Sequence, residues 1–180
     1  MTKKKLTKPF EEEYDNYYKT YIDYLEDEIN ITLQLSNQRD ILVDYLNSIA
    51  EADAEFAYAE GKWTIKEVLG HMIDTERVFS YRAMSIARGE TKPLPGFDQD
   101  EFVVRGIFNL RSVENLLDEY VGLRNSNIAL FNSFNEEQIN RVGIANEKRV
   151  SVRALMFMLC GHELHHLKIL REKYLQKIGG

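Results

Sequence analysis

The chain has 180 residues, 44% hydrophobic and 29% charged, with one cysteine and a formal net charge of −6. That is enough chain for one domain with a sizeable core, and the acidic balance lacks the basic face that a nucleic-acid partner needs. A single cysteine forms no intramolecular disulfide, no apolar run approaches the roughly 18 residues of a membrane span, and "MTKKKLTKPFEEEYDNYY" lacks the apolar stretch of a secretory signal. The expectation is a cytoplasmic protein with neither nucleic acid nor membrane as a partner.

Residues 1–20 read as a polar tail or arm ahead of a single domain over 21–180, and the basic cluster Lys3 to Lys5 reads as solvated terminal charge. Phe10, Tyr14, Tyr17, Tyr21 and Tyr24 recur at steps of four and three, a helix-compatible spacing that reads as a packing stripe or an arm laid over the body rather than a functional aromatic box. The segment "INITLQLSNQRDILVDYLNSIAE" predicts a first long helix with Leu35, Leu42, Leu46 and Ile49 on one side. In "KWTIKE", Thr64 and Glu67 have the spacing of a capping box, which satisfies two backbone donors reciprocally. The second helix continues through "VLGHMIDTERVFSYRAMSIAR" and stops at Gly89.

The next stretch, "GETKPLPGFDQDEFVVRGIFNL", is punctuated by Pro93, Pro95 and Gly96. A connection that long is usually functional or a crossover. Ser112 is placed to cap a third helix, "VENLLDEYVGLRNSNIALFNSF". A turn-rich stretch with room for a short helix, "NEEQINRVGIANEKR", leads to Ser151, the cap of a fourth: "VRALMFMLCGHELHHLKILREKYLQ". No period-two strand is evident. The expected fold class is all-α, a four-helix bundle with a long connection between the second and third helices.

Three of the four histidines fall within "HELHH", His162 to His166. Helix positions four apart differ by about 40°, so His162 and His166 share a face. The apolar arc of Leu155, Met156, Leu159, Leu167, Leu170 and Tyr174 takes in His166 and has His162 at its edge, leaving His165 on the outer side. On the second helix, His71 sits at the edge of the arc drawn by Ile65, Val68, Leu69, Met72, Phe79, Ala83 and Ile86. Thr75 and Glu76 fall in or near that sector, and Arg82 lies almost above His71. Polar groups there cost free energy unless they are paired or coordinate something. His71, His162 and His166 are therefore read as a three-imidazole metal site between two helices. Three neutral imidazoles leave a position open on a zinc-like ion, which is the catalytic pattern. Nickel and ferrous iron accept the same ligands. Cys160 points away and reads as a packing thiol.

"HELHH" also matches the H-E-x-x-H pattern of zinc peptidases. Against that reading, only 14 residues follow His166, Glu172 lies on the outer face, and no edge strand is evident to hold a peptide. Glu163 points into the apolar arc, where it serves as a base, as a partner orienting a histidine, or in a salt bridge to an inward cation such as Arg82. Arg82 either meets a substrate carboxylate or pairs with Glu76 or Glu163, and the internal pairing is preferred.

The stretches "YAEGKWTIKEVLGHMIDTERVFSYRAMSIARGETKPLPGFDQDEF" and "SVRALMFMLCGHELHHLKILREKY" closely resemble the DinB-like superfamily of small metal-binding four-helix bundles. The resemblance runs from about Tyr21 to Tyr174, with the family's histidines mapping onto His71, His162 and His166, its tryptophan onto Trp63, and its proline-rich loop onto "KPLPGFD". It implies a divalent metal, a homodimer, and transfer of a low-molecular-weight thiol to an electrophilic small molecule. The alternatives are a metal-dependent hydrolase of a small molecule and a non-enzymatic metal-binding stress protein. The loop is expected either to lid the site, with Phe97 as an apolar wall, or to serve as a crossover alone.

Overall fold

The computed structural model describes residues 5–175. Residues 1–4 and 176–180, which include Lys3, Lys4 and the last residue of the expected fourth helix, lie outside the described residues. In chain order the elements are β1 (Leu6–Thr7), α1 (Lys19–Ile22), β2 (Glu28–Ile29), α2 (Ile31–Asn47), α3 (Ile65–Ala87), α4 (Gln99–Gly106), α5 (Val113–Asn132), α6 (Glu136–Asn140), β3 (Val142–Ala145), β4 (Lys148–Ser151) and α7 (Val152–Ile169). α7 widens into a π-helical turn over Leu170–Leu175. The four long helices α2, α3, α5 and α7 form the expected bundle. No helix among the described residues is long and apolar enough to cross a membrane.

Local chemistry sets the helix starts. The Thr64 hydroxyl accepts the Glu67 backbone N–H, and the Glu67 carboxylate accepts the Thr64 N–H at 2.8 Å, so the expected capping box is present. Ser112 and Ser151 cap α5 and α7 by accepting from the N–H groups of Asn115 and Ala154. The first long helix is shorter than expected. Asn30 accepts the Leu33 N–H and so starts it late, and the Ser48 hydroxyl donates to the Tyr45 carbonyl at its end, leaving Ile49 beyond it.

Around the bundle the order of packed neighbours is α2, α5, α3, α7. Helices consecutive in the chain, α2 and α3, therefore stand diagonally, as do α5 and α7. This places α3 directly against α7, the two helices that carry the histidines.

Two local features differ from the expectation. β3 and β4 form an antiparallel hairpin, Val142 opposite Ser151 and Ala145 opposite Lys148, where no strand was expected. Its two-residue turn, Asn146 and Glu147, takes positive φ at both positions (50° and 63°) without the glycine that normally signals such a turn. Each strand has four residues, too few for a legible alternation. The long connection between α3 and α5 is also structured. Asp98 caps α4 by accepting from the N–H groups of Asp100 and Glu101, and Leu94 exchanges backbone hydrogen bonds with Ile144 and Asn146 of the hairpin.

The core consists of two apolar clusters separated by a polar layer. One cluster holds Leu35, Phe79, Phe131 and Phe157; the other holds Leu42, Leu69, Leu116 and Leu170. Between them every long helix turns a polar residue inward: Gln38, His71 and Glu76, Arg124 and Asn127, then His162, Glu163 and His166, all buried. The layer has to satisfy its own polar groups or bind something that does.

The N-terminal segment is laid over this layer. β1 pairs with β2, Leu6 opposite Ile29, and α1 lies against α7. The approach is close at Gly161, where a Cβ would stand 1.9 Å from the Tyr21 carbonyl oxygen, so only glycine admits the crossing chain.

Candidate metal centre and its cavity

α3 delivers His71 and α7 delivers His162 and His166 to one point. The Nε2 atoms of His71 and His162 are 3.0 Å apart, and those of His166 and His162 are 3.1 Å apart. One ligand nitrogen from each of the three lies within 4.8 Å of the others. Burial drives all three pKa values down, and the His165 imidazole lowers each further, with His71 adding to the effect on His162 and His166. His71 falls to about 4, His166 to about 2, and His162 well below its usual range. The rings are therefore neutral at pH 7.

This donor set fits a divalent cation. Neutral imidazole nitrogens that face one another at hydrogen-bond distance bring their lone pairs together, and a cation at their centre resolves that crowding. Thr75 Oγ1 stands 3.5 Å from His71 Nδ1, placed to take its N–H and leave the lone pair on Nε2. Trp63 packs over His71 with ring centroids 4.7 Å apart, and Tyr21 sits edge-on to His162 at 5.3 Å. His165 stays outside the cluster, half-buried against Tyr21 and Tyr24. Cys160 is fully buried, and burial pushes its thiol pKa far up, in keeping with a packing role.

The carboxylates of the layer are held by a residue that the sequence reasoning missed. Arg124 of α5 donates to both Glu76 oxygens, to the Leu35 carbonyl at 3.1 Å and to Glu163 Oε2. Asn127 donates to Glu76 and the Tyr120 hydroxyl to Glu163. The internal pairing expected for Arg82 is thus corrected. Arg82 lies more than a turn further along α3, and Arg124 reaches the carboxylates from the facing helix. Burial raises the Glu163 pKa against the opposing pull of Arg124, and its Oε1 has no hydrogen-bond partner among the described residues. A cavity of about 10 Å³, roughly one water in size, lies between Glu163, Glu76, Arg124, Thr75 and His162.

A larger cavity of about 310 Å³ leads from the surface to His162, walled by Tyr18, Tyr21, Phe79 and Phe97, with Arg82 and Thr75 on its lining. Phe97, from the long connection, is therefore a wall of the cavity. Tyr21, a member of the aromatic stripe expected to pack, is a wall as well, and so is Tyr18, which lies outside that stripe. Arg124 did carry a signal, because it continues the inward stripe of Leu116, Leu117, Tyr120, Asn127 and Phe131 on α5.

Comparison with known proteins agrees with this architecture. Residues 34–170 match the profile of the DinB superfamily. Over 135 residues the chain is 25% identical to an Oceanobacillus iheyensis protein named "putative metal-dependent hydrolase", covering 74% of this chain and 78% of that one. Among solved structures it is similar to YfiT from Bacillus subtilis, described as "a probable metal-dependent hydrolase with an unusual four-helix bundle topology", with a TM-score of 0.69 and 16% identity over 96% of this chain and 93% of that one. It is also similar to the DinB-like protein YjoA from Bacillus subtilis, with a TM-score of 0.61 and 18% identity over 84% and 93%. At those identities the solved structures speak to the fold.

Proposed function

This chain belongs to the DinB superfamily, and from that premise we propose that it is a metal-dependent hydrolase of a small molecule, with His71, His162 and His166 as the metal ligands. The observation that carries the reading is the meeting of three neutral, buried imidazoles, one of which, His162, lines a 310 Å³ cavity. That volume suits a small ligand. A bound divalent ion, whether zinc, nickel or ferrous iron, supplies Lewis acidity that polarises an acyl or phosphoryl oxygen and lowers the pKa of water.

The chain's own residues do the rest. Thr75 and Trp63 fix the His71 ring, and Tyr21 and Phe79 crowd His162 and exclude bulk solvent. Arg124 and Tyr120 clamp Glu163 through Oε2, leaving Oε1 without a hydrogen bond in a residue that lines the small cavity with His162. With its pKa raised by burial, Glu163 is the carboxylate placed to accept a proton there. Its position inside the bundle does not suit a peptidase base facing an extended chain.

Two of the three relatives' descriptions speak of hydrolysis and none mentions a thiol, so thiol transfer is the reading that the assay has to separate. Tag-free protein reloaded with zinc, nickel or ferrous iron is tested on p-nitrophenyl esters without thiol, and on monochlorobimane with a low-molecular-weight thiol. Hydrolysis that needs the metal and falls at least ~100-fold in His166→Ala supports the proposal. Turnover of the bimane alone, and only with thiol, would make it a thiol transferase instead.

A further inference from the structure

Arg82 is 3% exposed, yet no carboxylate lies within ion-pair distance of it among the described residues. The contrast with the other two buried cations is plain. Arg124 pairs with Glu76 and Glu163, and Lys66 with Glu51 and Glu55. Arg82 instead donates to the Pro95 carbonyl at 2.6 Å and hydrogen-bonds the Tyr18 hydroxyl, both uncharged groups. Burial accordingly lowers its pKa. A buried guanidinium without a counter-charge is costly, and an anionic ligand would supply the missing charge.

The guanidinium borders the 310 Å³ cavity, on the side away from the histidines, and Phe97 lies 6.0 Å from its Cζ. Lys148 of β4 and Asp15 also line the cavity, but they pair with each other at 3.4 Å, which leaves Arg82 as its cation without a counter-charge. The Asp15 carboxylate, which also accepts the Tyr17 backbone N–H, forms no ion pair with Arg82 among the described residues. Between this cationic end and His162 the walls are the rings of Phe79 and Tyr21. We infer that the cavity takes a small molecule bearing a carboxylate or phosphate, its anion on Arg82 and its apolar body between the aromatic walls. That its opposite end is the one transformed at the histidines rests on the hydrolase reading; the anion subsite does not. A planar fork of N–H donors suits either oxyanion.

Calorimetric titrations test this with phenylacetate and phenyl phosphate against neutral phenylacetamide, and with inorganic phosphate alone. Each is run on metal-loaded and on metal-stripped protein, so that an anion held by the ion is told apart from one held by Arg82. The anionic aryl probes are expected to bind at least about tenfold tighter than the neutral one in both forms, equivalent to about 1.4 kcal/mol. Arg82→Gln removes that preference, and Arg82→Lys, which keeps the charge but not the fork, reduces it several-fold. Relative affinities of the two anionic probes say which oxyanion is native, and weak binding of inorganic phosphate alone shows the contribution of the aromatic walls. Equal binding of anionic and neutral probes by the wild type overturns the inference, as does a preference that survives unchanged in Arg82→Gln. Should Arg82→Gln fail to fold, an unchanged preference in Arg82→Lys overturns it in the same way. If metal-stripped protein keeps an Arg82-dependent preference while the loaded protein hydrolyses nothing, the hydrolase reading falls and the subsite stands. The reverse result removes the subsite and leaves the hydrolase.

Discussion

Arg124 on α5 spans the bundle interior to ion-pair with Glu163 on α7, the residue next to His162, while it also holds Glu76 of α3. With its further hydrogen bond to the Leu35 carbonyl of α2, all four long helices are tied at one level by a single guanidinium that is 1% exposed. Removing it would leave two buried carboxylates without a counter-charge. Arg124→Met is therefore expected to lose about 3–5 kcal/mol of stability in urea unfolding. Combining it with Glu76→Gln and Glu163→Gln recovers most of that loss. A single variant as stable as wild type would show that the ion-pair network does not hold the layer.

The crossing of the N-terminal segment over α7 gives a second expectation. In Gly161→Ala the new methyl meets the Tyr21 carbonyl, a backbone atom that moves only if α1 moves. A cost of about 1–3 kcal/mol is expected, the range for overpacking, along with faster proteolysis within residues 5–29. Tyr21 would also withdraw from His162, so aryl probe binding weakens. Unaltered proteolysis would mean that the segment is not seated as described.

Acid should loosen the same segment. Burial works to raise the Glu13 pKa, but hydrogen bonds from Arg153, Ser151 and the Phe10 backbone outweigh it and hold the carboxyl below its ordinary 4.5. A depressed carboxylate contributes stability that is present above the unfolded value and lost as pH falls through the folded one. Protection from hydrogen exchange at β1 and α1, taken relative to the intrinsic exchange rate at each pH, should therefore hold above about pH 4.5 and fall below it. Glu13→Gln should quicken exchange already at neutral pH. If protection in that segment shows no change across the window, the Glu13 anchor is unimportant.

Much of the layout was legible because it depends on spacing along one helix. The i, i+4 relation of His162 and His166, the edge position of His71, and the capping residues Thr64, Ser112 and Ser151 are all local. The partner of Glu76 and Glu163 was not, since it depends on which helix stands opposite, and the diagonal placement of α2 and α3 cannot be read from the faces of single helices. The hairpin escaped because Asn146 and Glu147 turn it without glycine. Tyr21 looked like packing because a stripe of aromatic residues has the same period whether it covers a core or walls a cavity.

A bound ligand stabilises the state that binds it, by about 2.7 kcal/mol at 100 times its dissociation constant. Wild type should thus melt higher with zinc or nickel than after chelation, whereas His71→Ala should melt alike in both. A chelator-insensitive wild type would argue against an ion in the bundle.

The most direct test is the metal content of the purified, tag-free protein, measured by elemental analysis beside His71→Ala and His166→Ala. Near-stoichiometric divalent metal in the wild type, lost in both variants, is the predicted result. A wild type that carries no metal and takes up neither zinc, nickel nor ferrous iron would contradict the account, leaving the three imidazoles as neutral core residues.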